Sequence, residues 1–237
     1  MQPFWQRSSL FSSWISSRVP SFSIWTSRWI PSFVLLTLLI LLVGTIRTAA
    51  SQDKDPPTIL CLGDSLTAGL GVSREESYPA LLETRLRERS FPHRVINAGV
   101  SGDTTAGALQ RLDWTLRSNP VLVILVIGAN DGFRGLPLER MEYNIDQILT
   151  RLREKNIPVL LGGMQVPPNY GETHSRAFAA VYPRLARKHA TPLLPFFLLG
   201  VAGQPDLNLE DGIHPNPKGY RLVLDNVWPV LEKMLSK

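Results

Sequence analysis

"VLVILVIG" (residues 121–128) carries no polar side chain and is dominated by β-branched residues. A strand with one wet face alternates apolar and polar residues, so an unbroken apolar run is what a central strand covered on both faces requires. Both faces are covered when helices cross over between parallel strands. The run therefore predicts a mostly parallel sheet with a helical layer on each side. The flanking sequence repeats the theme. "TILCL" (58–62) and "RVINAG" (94–99) read as strands before it, and residues 158–162 and 193–195 as strands after it. Between them lie segments of helical period. "YPALLETRLRERS" (78–90) sets Leu81, Leu82 and Leu86 on one face, and "TAGALQRLDWTLRS" (105–118) stops before Asn119-Pro120. Residues 138–155, 175–189 and 218 to about 235 complete the helices. Five β-α repeats with short connections give an α/β fold with a five-stranded sheet.

In such sheets ligands bind at the carboxyl ends of the strands. The first strand is followed by Gly63-Asp64-Ser65, the second by Asn97 and then Ser101-Gly102-Asp103, and the third by Gly128-Ala129-Asn130-Asp131-Gly132. Before the last helix stands "EDGIHPNPKGY" (210–220), with Asp211 and His214 three positions apart. Each has an ordinary explanation when taken singly: a helix cap for Ser65, a tight turn for Gly102, a turn for Asn130, a surface side chain for His214. Together they meet a chemical requirement. A serine hydroxyl needs a base, imidazole is the usual one, and the imidazole needs a carboxylate to fix its tautomer. The tetrahedral intermediate needs donors for its oxyanion. Ser65, His214 and Asp211 are the candidate catalytic set. The Ser65 and Gly102 N–H groups and the Asn130 side-chain amide are the candidate oxyanion hole.

"GDSLTAG", "NAGVSGDTT", "GANDGFRG" and "DGIHPN" resemble, in order, the four blocks of the SGNH (GDSL) hydrolases. "SYPALL", "VPPNYG", "FAAVYPRLA" and "PLLPFFL" are similar to its bacterial periplasmic thioesterase/protease/lysophospholipase and arylesterase branch. The resemblance implies a flavodoxin-like three-layer α/β/α sandwich and hydrolysis of small acyl esters or thioesters, lysophospholipids among them, through an acyl-serine. It maps Ser65, Gly102, Asn130 and His214 onto the four signature positions, with Asp211 as the triad acid, and implies neither cofactor nor metal. A carbohydrate O-acetylesterase is the alternative within the fold, and a non-catalytic binding module the alternative from another class. Phe133 departs from the usual pattern at a position that bears on acyl selectivity.

Other classes fit poorly. The net charge of +5 suggests a nucleic-acid binder, but the first 50 residues hold Arg7, Arg18, Arg28 and Arg47 and no acid, leaving +1 to the rest. A nearly neutral body lacks the basic stripe of a phosphate footprint. No third glycine stands at Arg74 to extend Gly69-x-Gly71, and no G-K-[ST] occurs, so nucleotide fingerprints are missing. His93, His174, His189 and His214 are scattered, without an H-E-x-x-H. Cys61, the single cysteine, sits in a strand pattern and reads as a buried, inert thiol.

Residues 1–50 differ in character. A basic stretch, the apolar "FVLLTLLILLV" (33–43) and the small-residue end Thr48-Ala49-Ala50 describe a secretory signal, with residues 51–237 as one catalytic domain. The apolar core is shorter than the ~18 residues of a spanning helix, although an uncleaved anchor is the alternative. The expected location is periplasmic or secreted, with membrane contact only through this segment. A monomer is assumed.

Overall fold

The computed structural model describes residues 55–236. The leader expected over residues 1–50 lies outside them.

The sheet is five-stranded and parallel throughout. Its strands are β1 (Thr58–Gly63), β2 (Arg94–Gly99), β3 (Leu122–Val126), β4 (Val159–Gly162) and β5 (Leu193–Leu194), in the order β2-β1-β3-β4-β5. This is the doubly wound, flavodoxin-like order, whose ligand crevice opens where the strand order reverses, between β1 and β3. All residues of β1, β3 and β4 are buried, as the apolar runs demand, whereas the edge strand β2 is half-exposed along its length.

The helices are α1 (Ser65–Ala68), α2 (Tyr78–Glu88), α3 (Thr105–Gln110), α4 (Leu112–Thr115), α5 (Ala129–Phe133), α6 (Leu138–Glu154), α7 (Glu172–His189) and α8 (Pro217–Leu235). α2 packs on α8, while α3 packs on α6 and α6 on α7, giving the helix pairs that cover the sheet. α6 buries Met141, Ile145, Ile148, Leu149 and Leu152, a stripe at helical spacing. On α2 the buried face is Tyr78, Leu82 and Leu86, and Leu81 is only partly buried, because the i, i+4, i+8 row faces the sheet rather than the i+3 position.

One expected helix is broken. Residues 105–118 form α3, α4 and a closing 3-10 turn (Leu116–Ser118) instead of a continuous helix. The interruption falls at Arg111, whose backbone sits at φ −91°, ψ 2° while its side chain reaches the strand ends. Asn119, at φ 48°, turns the chain before Pro120.

The short helix α1 lies against the ends of β1 and β2 because glycines admit it. A Cβ on Gly63 would come within 2.3 Å of the Val126 carbonyl oxygen, and one on Gly99 within 2.1 Å of the Ala68 nitrogen. No side chain fits at either place, so the turn that carries Ser65 is drawn tight onto the sheet.

Candidate active site

Ser65 is the first residue of α1, directly past the end of β1. It does not cap the helix. Asp64 does, accepting the Leu66 N–H at 3.0 Å through Oδ1. Asp64 is itself buried, and its Oδ2 finds no hydrogen-bond partner among the described residues. Burial pushes this carboxyl up to about 7, against the pull of the Leu66 N–H.

His214 arrives from the far end of the chain on a loop braced by its own side chains. An antiparallel bridge pairs Asn208 with Pro215, and the Leu209 N–H donates to the His214 carbonyl at 2.8 Å. Asn208 Nδ2 donates to Val201 and Gln204 carbonyls, while Asn216 caps α8. The loop brings His214 Nε2 to 2.8 Å from Ser65 Oγ and His214 Nδ1 to 2.6 Å from Asp211 Oδ2. Asp211 Oδ1 accepts the backbone N–H groups of Ile213 and His214, each at 2.9 Å. Burial raises the Asp211 carboxyl, but those N–H groups and the imidazole outweigh it and hold the acid below its ordinary range. An ionised carboxylate only accepts, so it holds the imidazole proton on Nδ1 and leaves Nε2 free to accept from Ser65 Oγ–H.

The other sequence-predicted residues converge on the same spot from β2 and β3. The Val100–Asp103 turn closes with Asp103 N–H donating to the Val100 carbonyl at 3.0 Å, and Gly102 takes φ +79°, a backbone few other residues adopt. Among the described residues, neither the Ser65 nor the Gly102 N–H has an acceptor within the chain. Asn130 lies in α5 after β3 and donates from Nδ2 to the Asp103 carbonyl at 2.9 Å. Asn97 only braces the β2 end, its Oδ1 accepting the Gly99 N–H at 2.9 Å.

Several residues that hold this arrangement carry no signal by themselves. Asp131 is buried and accepts the Thr105 N–H at 2.9 Å and the Thr105 Oγ1–H at 2.6 Å, and Asn144 donates to the same Oγ1 at 3.0 Å. Burial raises the Asp131 carboxyl, with the Thr105 bonds opposing it. Arg134 donates to the Gly102 carbonyl at 2.9 Å. Thr105, Asp131 and Arg134 fall inside the "SGDTT" and "GANDGFRG" blocks, which is their only signal in the sequence, and Asn144 lies outside both.

A cavity of about 390 Å³ opens onto Ser65, Gly102, Asn130 and His214, with apolar walls that include Leu66, Leu70, Phe133, Met164, Phe196 and Ile213. "PFFLLG" (195–200) divides between two tasks: Phe196 and Leu198 face the cavity while Phe197 is wholly buried in the core. Tyr170 of "VPPNY" packs on Phe133 with ring centroids 5.6 Å apart. Cys61 is buried beneath the site, and burial pushes its thiol up to about 12, so it offers no thiolate to compete with Ser65.

The model of the GDSL-like lipase/acylhydrolase family matches residues 61–222, a span that contains every residue of this site. The chain belongs to that family. It is an acyl hydrolase of the SGNH type, as the four ordered blocks imply. The esterase TesA of Pseudomonas aeruginosa is 40% identical over 203 residues, which cover 85% of this chain and 98% of TesA. A crystal structure of TesA superposes with a TM-score of 0.73, covering 75% of this chain and 99% of that one at 41% identity. The thioesterase 1/protease 1/lysophospholipase L1 of Escherichia coli strain K12 is 38% identical over 85% of this chain and 93% of its own. The esterase EstA from Pseudoalteromonas sp., in a structure inhibited by monoethylphosphonate, superposes with a TM-score of 0.72 at 35% identity, over 76% of this chain and 99% of that one.

Proposed function

We propose that this hydrolase cleaves carboxylic esters and thioesters of apolar acyl chains through an acyl intermediate on Ser65. The observation that carries the reading is the unbroken hydrogen-bonded line Ser65–His214–Asp211, at 2.8 and 2.6 Å, ending in an apolar cavity.

As Ser65 Oγ attacks the carbonyl carbon, its proton passes to His214 Nε2, and Asp211 stabilises the imidazolium that forms. The carbonyl oxygen gathers negative charge, with the N–H groups of Ser65 and Gly102, which have no acceptor among the described residues, and the second N–H of the Asn130 amide as its donors. Collapse breaks the bond to the alcohol or thiol, which leaves with the proton from His214. Water then adds to the acyl carbon, giving one proton to His214, and collapse breaks the bond to Ser65 Oγ, which takes that proton back from His214 as the acid leaves. No step requires a metal.

Acyl chains rather than acetyl groups suit the cavity. Its walls are mostly apolar, and a group of two carbons would leave most of 390 Å³ unfilled. The relative named thioesterase 1/protease 1/lysophospholipase L1 carries an acyl-chain substrate in its name. The leader over residues 1–50 points to export, with a mature chain starting near Ser51. N-terminal sequencing of the protein released by osmotic shock tests that part, since an intact Met1 on membrane-bound material would indicate an anchor.

Ser65→Ala should fold normally and lose nearly all turnover, and a serine-directed phosphonate should label Ser65 alone. Labelling at Ser101 would overturn the assignment.

A further inference from the structure

Arg111 is set at the break between α3 and α4 and is directed away from solvent, its side chain only 20% exposed. Its guanidinium uses each of its nitrogens. Nε donates to Asp103 Oδ2 at 2.8 Å, Nη1 to the Ala98 carbonyl at 2.8 Å and Nη2 to the Gly63 carbonyl at 2.9 Å. Those acceptors belong to different parts of the site. Gly63 ends β1 two residues before Ser65, Ala98 lies at the end of β2, and Asp103 follows Gly102 in the turn. The Asp103 carbonyl is in turn the one that receives Asn130 Nδ2 at 2.9 Å.

We propose that Arg111 is a positioning residue for catalysis, clamping the Gly102–Asp103 turn to the ends of β1 and β2 and thereby fixing the oxyanion donors relative to Ser65. The inference rests on the acyl-serine reading. An ion pair that served stability alone would need only the Asp103 carboxylate. Here the same rigid plane also takes up two main-chain carbonyls, one on the nucleophile's strand and one on the strand feeding the turn. A lysine, with one compact ammonium, cannot span three divergent acceptors. The clamp acts at a distance: Arg111 does not line the cavity, and its hydrogen bonds reach the reacting atoms only through Gly63, Asp103 and Asn130.

The test compares wild type, Arg111→Lys, Asp103→Ala, Asn130→Ala and the double variant Arg111→Lys/Asn130→Ala on p-nitrophenyl butyrate, with melting temperature measured on the same preparations. A donor displaced by a fraction of an ångström misses the oxyanion but leaves ground-state binding alone. Arg111→Lys should therefore lower kcat by about 10- to 100-fold with KM little changed. The double variant should fall no more than about threefold below Asn130→Ala, because the two changes damage one device. A folded Arg111→Lys enzyme with wild-type kcat, or losses that multiply in full in the double variant, would overturn the proposal. Asp103→Ala approaches the clamp from the other side, removing the acceptor and keeping the Asp103 carbonyl. It should show the same split between kcat and KM, and normal kcat in it would also count against the clamp. A slow Asn130→Ala beside a normal Arg111→Lys removes Arg111 alone. A normal Asn130→Ala removes the oxyanion role of Asn130 and leaves the clamp to act through the Gly102 N–H, in which case a slow Arg111→Lys upholds it and a normal one overturns it.

Discussion

Asn130 donates one N–H of its side-chain amide to the Asp103 carbonyl, 2.9 Å away, and lines the cavity together with Ser65. That bond fixes the amide, whose second N–H remains a donor. A turn asparagine needs no such alignment, whereas a donor to an oxyanion must be fixed before charge develops, so that nothing reorganises during the reaction.

Asn130→Ala should accordingly lower kcat by about 10²–10³ and change KM little, since the contact strengthens only in the transition state. Steady-state kinetics and a melting curve on one preparation decide it. A folded variant with near-wild-type kcat would leave the Ser65 and Gly102 N–H groups as the whole hole.

Asp64 makes stability depend on pH. Its carboxyl has an ordinary value near 3.8 in the unfolded chain and is raised to about 7 in the fold. Below about pH 4 both states are protonated and the folded state keeps its full stability. As pH rises towards 7 the unfolded chain ionises first, so stability from this group falls, and above about 7 the loss is complete. Asp64→Asn keeps an oxygen for the Leu66 N–H and cannot ionise. Its melting temperature should gain on wild type by several degrees between pH 4.5 and pH 8. A constant difference across that range would show that Asp64 is not held neutral.

Cavity walls made of leucine, phenylalanine, methionine and isoleucine predict a preference for longer acyl chains. Each methylene moved from water into such a wall is worth about 0.8 kcal/mol, or roughly fourfold in kcat/KM. On p-nitrophenyl esters, kcat/KM should climb from acetate through butyrate to hexanoate before levelling. A maximum at acetate would instead favour the O-acetylesterase alternative.

The buried Asp131–Thr105–Asn144 cluster predicts a loss of stability rather than of chemistry. Asp131→Ala leaves the Thr105 N–H and hydroxyl without their acceptor in a buried place. Unmet donors cost about 1–3 kcal/mol each, so chemical denaturation should show a loss of about 2–5 kcal/mol. A loss below 1 kcal/mol would mean that water or a shifted side chain replaces the carboxylate.

The reading of the sequence went furthest where one segment carries its own signal. The apolar run at 121–128 needs two covered faces whatever its neighbours are, and from it follow the parallel sheet and the strand ends where polar residues must do chemistry. Asp211 and His214 lie three apart, so their contact is local and visible in the spacing. Ser65, Gly102 and Asn130 stand out because glycine, serine and asparagine follow the ends of three strands.

Tertiary structure decided the rest. Ser65 and His214 are 149 positions apart, and their 2.8 Å contact exists only because the loop before α8 folds back over the end of β1. Arg111 lies inside the stretch 105–118, whose pattern predicts one helix, and nothing local marks it. Only the parallel register of β1 and β2 brings the Gly63 and Ala98 carbonyls within its reach. The division of "PFFLLG" between core and cavity likewise depends on which side of the chain the sheet lies. A side chain's local pattern reports whether it prefers water. Its partners depend on strand order, register and the packing of distant segments, which no single stretch of the sequence contains.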